Sequence, residues 1–371
     1  MDGKVNVGVV GCGAFASGTL VPNVVKNPNL HLRALNRRNE ERLAMLNKEF
    51  SPDYITTDME EVFKDPEIQM VICGTKPHFR IPIMELAVKY GKDLFVEKPL
   101  CYDENDVEPM VKLISHSDIK FMVGFNRPYS HMMQDIKPLL HQYKKDNVTI
   151  VYRIIGEGFL WPKSHKDAVM VRKESTLIHE ITHIFDLLNW LTDLMPTRVY
   201  TAGGGNVDNI VTLNYPDDIT AVIIAGDNST AGYPKERIEI NANYGTIVGD
   251  HFVELTVAGF DMVHYRRTYD YAMAGKTYNT NGREAEEKQW EWRNSVTQEE
   301  MDYGYYYDRQ LKCDKGHYGE LEHFRQCILK DEPSQTGVVR GALATLTALR
   351  AMESWEKGQA VDLDFAYLYE I

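Results

Sequence analysis

The hydrophobic pattern changes character near residue 124. From Lys4 to Val10 the chain reads Lys-Val-Asn-Val-Gly-Val-Val, a valine-dense run that predicts a strand buried on both faces. Further short apolar runs predict strands at 30–35, 54–56, 69–73, 93–96 and 120–123. The segments between them carry helical spacing. One helix is expected from the Gly11 turn to Asn27-Pro28, and one over 40–50, with Leu43, Leu46 and Phe50 on one face. Others are expected over 59–63, over 81–90 ending at Gly91, and over 106–115. Strands alternating with helices imply a doubly wound parallel sheet with helices on both faces. Its ligand belongs at the carboxyl ends of the strands.

Beyond Gly124 the predicted strands lengthen and alternate: 148–155, 219–225, 237–242 and 245–248. One helix, over 179–191, interrupts them. This predicts a second α/β domain with a large, mainly antiparallel open sheet. The division expected is 1–123 and 124–371. Residues 265–318 are rich in tyrosine, tryptophan and charge with little periodicity, and read as an insertion that is either a substrate lid or a subunit contact. Helices over 318–329 and 338–357 follow, the second expected to pack back on the first domain, then Gly358 and a short strand near Val361.

Composition narrows the partners. The 371 residues carry a net charge of -13, which argues against a general nucleic-acid or anionic-membrane surface. The sequence has no apolar run long enough for a membrane span, and Met1-Asp2-Gly3-Lys4 lacks the regions of a signal peptide. Five scattered cysteines without CxxC spacing suggest reduced thiols and a cytoplasmic location.

Gly11-x-Gly13-x-x-Ala16 lies between the first predicted strand and the first predicted helix. In a dinucleotide-binding loop the first glycine makes the tight turn and the second admits the pyrophosphate. The small third residue lets helix and strand approach, and the helix that starts at Ala14 and Phe15 faces the phosphates. This is the Rossmann fingerprint, and its context is what gives it weight. The acid expected about 20 residues on, for the ribose 2′-hydroxyl, is absent. In its place stand Asn36, able to bond a ribose hydroxyl, and Arg37 and Arg38, able to meet a 2′-phosphate or simply to be solvated. NAD and NADP both stay open.

Val96-Glu97-Lys98-Pro99-Leu100 at the end of the fifth strand is more specific. With the fingerprint, Gly91-Lys92, Gly124-Phe125-Asn126-Arg127 and Tyr318-Gly319-Glu320-Leu321-Glu322-His323-Phe324, it resembles the glucose–fructose oxidoreductase / inositol dehydrogenase / rhizopine-catabolism (Gfo/Idh/MocA) family over nearly the whole chain. The resemblance implies an NAD(P)-dependent oxidoreductase, in some members with tightly held cofactor, acting on a sugar, polyol or glycoside and oligomerising through the second-domain sheet. It places Lys98 near the nicotinamide and the reacting hydroxyl, with Glu97 and Asn126 beside the cofactor. An ammonium beside an alcohol favours alkoxide character. Thr75-Lys76-Pro77-His78-Phe79-Arg80 resembles the family's Thr-Pro-x-x-x-His turn. Thr75 and Pro77 are implied cofactor contacts, and Arg80 stands where histidine is usual.

The run Ser175-Thr176-Leu177-Ile178-His179-Glu180-Ile181-Thr182-His183-Ile184-Phe185-Asp186 holds two histidines four apart, which share a face if the helix is continuous. It also matches His-Glu-x-x-His, but a zinc protease needs a third ligand and a different context, so no metal is expected. The resemblance makes His183 the general acid/base and Asp186 the trailing aspartate. His179 stands where aspartate is frequent, so either His179 orients substrate or Glu180 takes the acidic role. Trp161, Lys163 and His165 form a candidate sugar-binding loop, and Tyr129 a further wall. C3 oxidation of a glycoside is one subtype. Two rival readings are an NAD-dependent glycosidase that oxidises C3 transiently and eliminates, and a non-catalytic nucleotide sensor.

Overall fold

The computed structural model describes residues 3–156, 175–228, 233–260, 263–269, 271–273, 276–277, 287, 297 and 311–371. Trp161, Lys163 and His165 lie outside these residues, as does much of the tyrosine-rich segment. The chain forms two compact units, residues 1–125 with 317–343 and 366–371, and residues 126–316 with 344–365. The two-part division at 123/124 is therefore crossed by returns of the C-terminal chain.

In the first unit β1 (Val5–Val10), β2 (Leu30–Asn36), β3 (Tyr54–Thr56), β4 (Met70–Cys73), β5 (Asp93–Val96) and β6 (Phe121–Val123) form a parallel sheet ordered β3-β2-β1-β4-β5-β6. The order reverses beside β1, which is where a doubly wound sheet opens its ligand crevice. A π-helical turn (Ala16–Leu20) runs into α1 (Val21–Lys26). Then come α2 (Glu40–Phe50), α3 (Met59–Lys64), α4 (Arg80–Tyr90) and α5 (Val107–Ser115). Their ends follow local chemistry: Asn39 and Asp58 cap the N-termini of α2 and α3 through their side chains, and Gly91 ends α4 at φ 61°. On α5, Val107, Met110, Val111 and Ile114 bury one stripe.

The C-terminal return has a packing cause. On α9 (His317–Lys330), Leu321, Phe324 and Cys327 are buried, and the Phe324 ring lies 6.3 Å from that of Phe95. Arg325 donates to the Gly3 carbonyl, and Asn27 donates to Glu322. The long helix α10 (Val338–Lys357) begins in this unit, where a Cβ on Gly341 would stand 2.7 Å from Val123 Cγ2.

The second unit is built on a nine-stranded sheet. It contains β7 (Val148–Ile155), β8 (Arg198–Gly203), β9 (Asn209–Asn214), β10 (Ile219–Gly226), β11 (Glu236–Ala242), β12 (Gly245–Asp250), β13 (Glu254–Gly259), β14 (Val263–Thr268) and β18 (Val361–Asp362). The order is β14-β13-β12-β11-β7-β10-β9-β8-β18. Three short strands, β15 (Tyr271–Met273), β16 (Lys276–Thr277) and β17 (Leu311–Cys313), pair separately. Pairing is antiparallel except for β7 with β10, which run parallel because the hairpin β8–β9 intervenes between them in sequence. Burial alternates, for example along β11. The inner face packs on α6 (His131–Tyr143), which also meets α8 (Thr182–Thr192). The other face leaves Tyr200, Ile210 and Ile224 exposed, with Ile210 directly opposite Ile224.

The helix expected over 179–191 is broken. A single turn, α7 (Thr176–His179), precedes α8, and Glu180 and Ile181 lie between. The His183 amide donates to the Glu180 carbonyl, three residues back. The Thr182 hydroxyl takes the Ile178 carbonyl, a side-chain bond that competes with the backbone ladder. His179 and His183 therefore stand on either side of a break at Glu180 and Ile181 rather than on one continuous helix.

Candidate nucleotide-binding and active-site residues

At the end of β1 the chain turns at Gly11, φ 76°. A Cβ there would lie 2.5 Å from Thr75 Cγ2 and 3.0 Å from the Thr75 nitrogen, so only glycine fits. Gly74 is equally constrained: its Cβ would stand 2.8 Å from both Ala16 Cβ and the Gly11 oxygen. Sequence reading named Gly11, Ala16 and Thr75 but missed Gly74, although a glycine directly after a buried strand was a visible signal. Gly13 differs. The nearest atom to a Cβ there is the Gly11 oxygen at 3.9 Å, so the space before this residue is open. Ala14 and Phe15 begin the helical run, and the Phe15 ring lies 5.9 Å from that of His317. A turn that closes at Gly11 and opens at Gly13, leading into a helix, fits a dinucleotide pyrophosphate.

The loop is latched from β2. The Cys12 amide donates to the Asn36 carbonyl at 3.1 Å, Gly11 to Asn36 Oδ1 at 3.4 Å, and Asn36 Nδ2 to the Thr56 carbonyl at 3.1 Å. Asn36 is 4% exposed, so its amide braces the loop. Arg37 donates to the Cys12 carbonyl, and burial, with help from Arg42, holds its guanidinium below its usual value. Arg38 is the exposed member of the pair. The structure therefore separates two arginines that the sequence treated alike.

The ends of β4 and β5 carry the next group. Thr75 Oγ1 lies 3.1 Å from Cys73 Sγ, and Pro77 is buried at the start of a short 3-10 turn. Arg80, at the head of α4, is 0% exposed. Its Nη2 donates to the carbonyls of Glu97 (2.5 Å) and Pro99 (3.4 Å), and its Nη1 to Cys73 Sγ (3.3 Å). Lys98 is half-buried and joined to Pro99 by a cis peptide. Glu97 is 8% exposed, and burial pushes its carboxyl up to about 7 against the opposing pull of Lys98 and Arg80. Gly124 makes room for it, since a Cβ there would meet Phe95 at 2.9 Å and Glu97 Oε1 at 3.0 Å.

The second unit holds a buried charge cluster that sequence reading did not find. Arg127 grips Glu236 with two bonds, Nε to Oε2 at 2.7 Å and Nη2 to Oε1 at 3.0 Å. The Tyr152 hydroxyl and Lys315 Nζ add bonds of 2.7 and 2.6 Å to the same carboxylate. Burial alone would push Glu236 up, but Arg127, Lys315 and Lys235 hold it well below the ordinary carboxylate range. Glu180 accepts from Lys235 at 2.8 Å and lies 3.8 Å from Arg127. Asn126 Nδ2 donates to the Lys315 carbonyl at 2.7 Å, and Tyr129 is half-buried in the turn that follows. His183 is 7% exposed and Asp186 is buried beyond it on α8. Thr176 donates to Asp227 at 3.2 Å, and burial, aided by Glu180 and opposed by Lys235, raises that carboxyl to about 7. The signal for Glu236 was strand parity: it shares a face with Ile238, Ile240 and Ala242. All five cysteines are buried thiols, and no described helix is long and apolar enough to cross a membrane.

Comparison with known proteins agrees with this geometry. Residues 5–125 match the sequence model of GFO_IDH_MocA, described as an oxidoreductase family with an NAD-binding Rossmann fold. An uncharacterised oxidoreductase of Bacillus subtilis (strain 168), YrbE, is 22% identical over 284 residues, 71% of this chain and 80% of its own length. Myo-inositol 2-dehydrogenase of Thermotoga maritima is 24% identical over 268 residues, 68% of this chain and 77% of its own. Among solved structures, levoglucosan dehydrogenase in complex with NADH and levoglucosan superposes with a TM-score of 0.77 at 16% identity, covering 98% of this chain and 100% of that one. That likeness is one of fold, and it extends through the second unit. Residues 5–125 therefore carry the NAD-binding Rossmann fold described by the Gfo/Idh/MocA oxidoreductase family model.

Proposed function

We propose that this oxidoreductase transfers hydride between NAD and a hydroxyl-bearing carbon of a sugar or cyclic polyol, with C3 of a glycoside as the finer form. The observation that carries the reading is Glu97-Lys98-Pro99 at the carboxyl end of β5 in an NAD-binding sheet. Relatives named for myo-inositol and levoglucosan support the substrate class. NAD supplies the hydride acceptor. Gly11, Gly13, Ala14, Phe15 and Ala16 would hold the pyrophosphate, and Asn36, Arg38, Thr75, Pro77 and Asn126 would border the remainder.

Oxidising a CH–OH carbon removes a hydride from carbon and a proton from oxygen. We assign the proton to the imidazole of His183, the side-chain type that most often carries protons in catalysis. To Lys98 Nζ we assign the stabilisation of negative charge that develops on the reacting hydroxyl. His179, Glu180 and Tyr129 orient the ring. Glu180 enters this role as a carboxylate already engaged by Lys235. The exposed face carrying Tyr200, Ile210 and Ile224 joins copies of the chain.

The test is to incubate the protein with NAD and a panel of cyclic polyols, sugars and glycosides. Reduced nicotinamide forms with at least one of them, and the signal is lost in Lys98→Met and His183→Asn while NAD still binds. Glycoside cleavage without net reduction would replace this reading with the NAD-dependent glycosidase.

A further inference from the structure

Arg80 is a fully buried cation whose bonds reach three points of the two strand ends that frame Lys98. A buried guanidinium is costly unless its donors and its charge are answered. Here Nε has no hydrogen-bond partner among the described residues, Nη1 meets the Cys73 sulfur, and Nη2 is answered by the carbonyls of Glu97 and Pro99. These are the residues on either side of Lys98, so one planar group fixes the backbone before and after it. The charge is answered by the Glu97 carboxylate, which feels both Lys98 and Arg80. The other titratable groups facing Arg80 are the thiols of Cys73 and Cys101, and burial pushes the Cys101 thiol up to about 12.

We infer that Arg80 is a positioning residue for the reaction: it clamps the carbonyls flanking Lys98 and shares the charge of Glu97, so that Lys98 is not the only cation answering that carboxylate. The inference rests on Lys98 acting in the reaction, as proposed above. Two consequences follow with opposite signs. Arg80 is a like charge for Lys98 and favours loss of its proton, while Glu97 as a carboxylate favours keeping it. Above about pH 7, where Glu97 is ionised, both neighbours act at full strength.

The experiment compares Arg80→Met, Arg80→Lys and Glu97→Gln with the parent enzyme in the presence of NAD and an accepted polyol. Misplacing a catalytic group by a fraction of its length costs about 100-fold, so kcat falls by roughly that factor in Arg80→Met while NAD affinity stays within about 3-fold. The basic limb of its kcat–pH profile moves up, by about one unit. Arg80→Lys keeps the charge but not the clamp, so kcat falls and the limb stays in place. Glu97→Gln moves the limb down. If Arg80→Met does not fold, the other two variants decide. Parental turnover in Arg80→Lys, or an unmoved limb in Glu97→Gln, overturns the inference. A fully active Lys98→Met enzyme instead removes the catalytic assignment on which it rests.

Discussion

Glu97 in the first unit and Glu236 in the second are both buried, and each has a buried arginine nearby, yet their carboxyls are displaced in opposite directions. Glu236 receives two bonds from Arg127, one from Tyr152 and one from Lys315. Arg80 instead gives its bonds to backbone carbonyls, that of Glu97 among them, and to a thiol, and acts on the Glu97 carboxyl through its charge. Burial alone therefore does not set the protonation state; the donors delivered to the carboxylate do. Glu236 is a permanent anion holding β11 to the Asn126-Arg127 turn and to Lys315. Glu97 is poised near neutrality, beside the lysine assigned to chemistry.

The largest expected effect tests the functional side. Lys98→Met lowers kcat by about 10²–10⁴-fold, the usual span for a group acting on a reacting proton or oxyanion, with little change in Tm. A comparable loss of Tm would place Lys98 with the structural charges. Glu236→Ala tests the other side. It leaves Arg127 buried without its partner and should cost about 3–5 kcal/mol in denaturant unfolding. A loss below about 1 kcal/mol would mean the cluster is solvated.

The pH dependence sharpens the contrast. Glu97 is raised in the fold to about 7. The unfolded chain therefore loses this proton first, near pH 4.5, and the native state becomes less stable as pH rises to about 7, by roughly 3 kcal/mol in all. Glu97→Gln removes that dependence, so its stability relative to the parent should climb between pH 4 and pH 8. Glu236 is depressed, so its contribution is present above about pH 4.5 and lost as pH falls through its lower folded value. The smallest effect concerns the loop. Gly11→Ala meets Thr75 and a positive φ, and should cost about 1–3 kcal/mol of stability.

Much of the first unit was legible because its signals are local. Valine-dense strands, caps and the glycine turn each specify backbone within a few residues, and the expected strands reappear with ends shifted by a residue or so. The second unit's sheet was legible by alternation, but its buried cluster joins Arg127, Tyr152, Glu236 and Lys315, which only tertiary pairing brings together. The predicted strand began at Arg237, one residue too late to expose Glu236 as a charge on an apolar register. The helix carrying the two histidines is broken at Glu180 and Ile181, beside the bond from the Thr182 hydroxyl to the Ile178 carbonyl, a feature that spacing does not reveal. Arg80 was visible as a departure from the family's histidine, but its burial was not.

The central claim is that residues 5–125 bind NAD through a loop left open at Gly13, and calorimetric titration of NAD into the parent and into Gly13→Val tests it most directly. Among the described residues, apart from its chain neighbours, a Cβ at Gly13 meets nothing closer than the Gly11 oxygen at 3.9 Å, so the variant should fold as the parent does. It should bind NAD at least roughly 100-fold more weakly, because the pyrophosphate needs that space. Equal NAD affinity in both proteins, or no binding by the parent, would contradict the account.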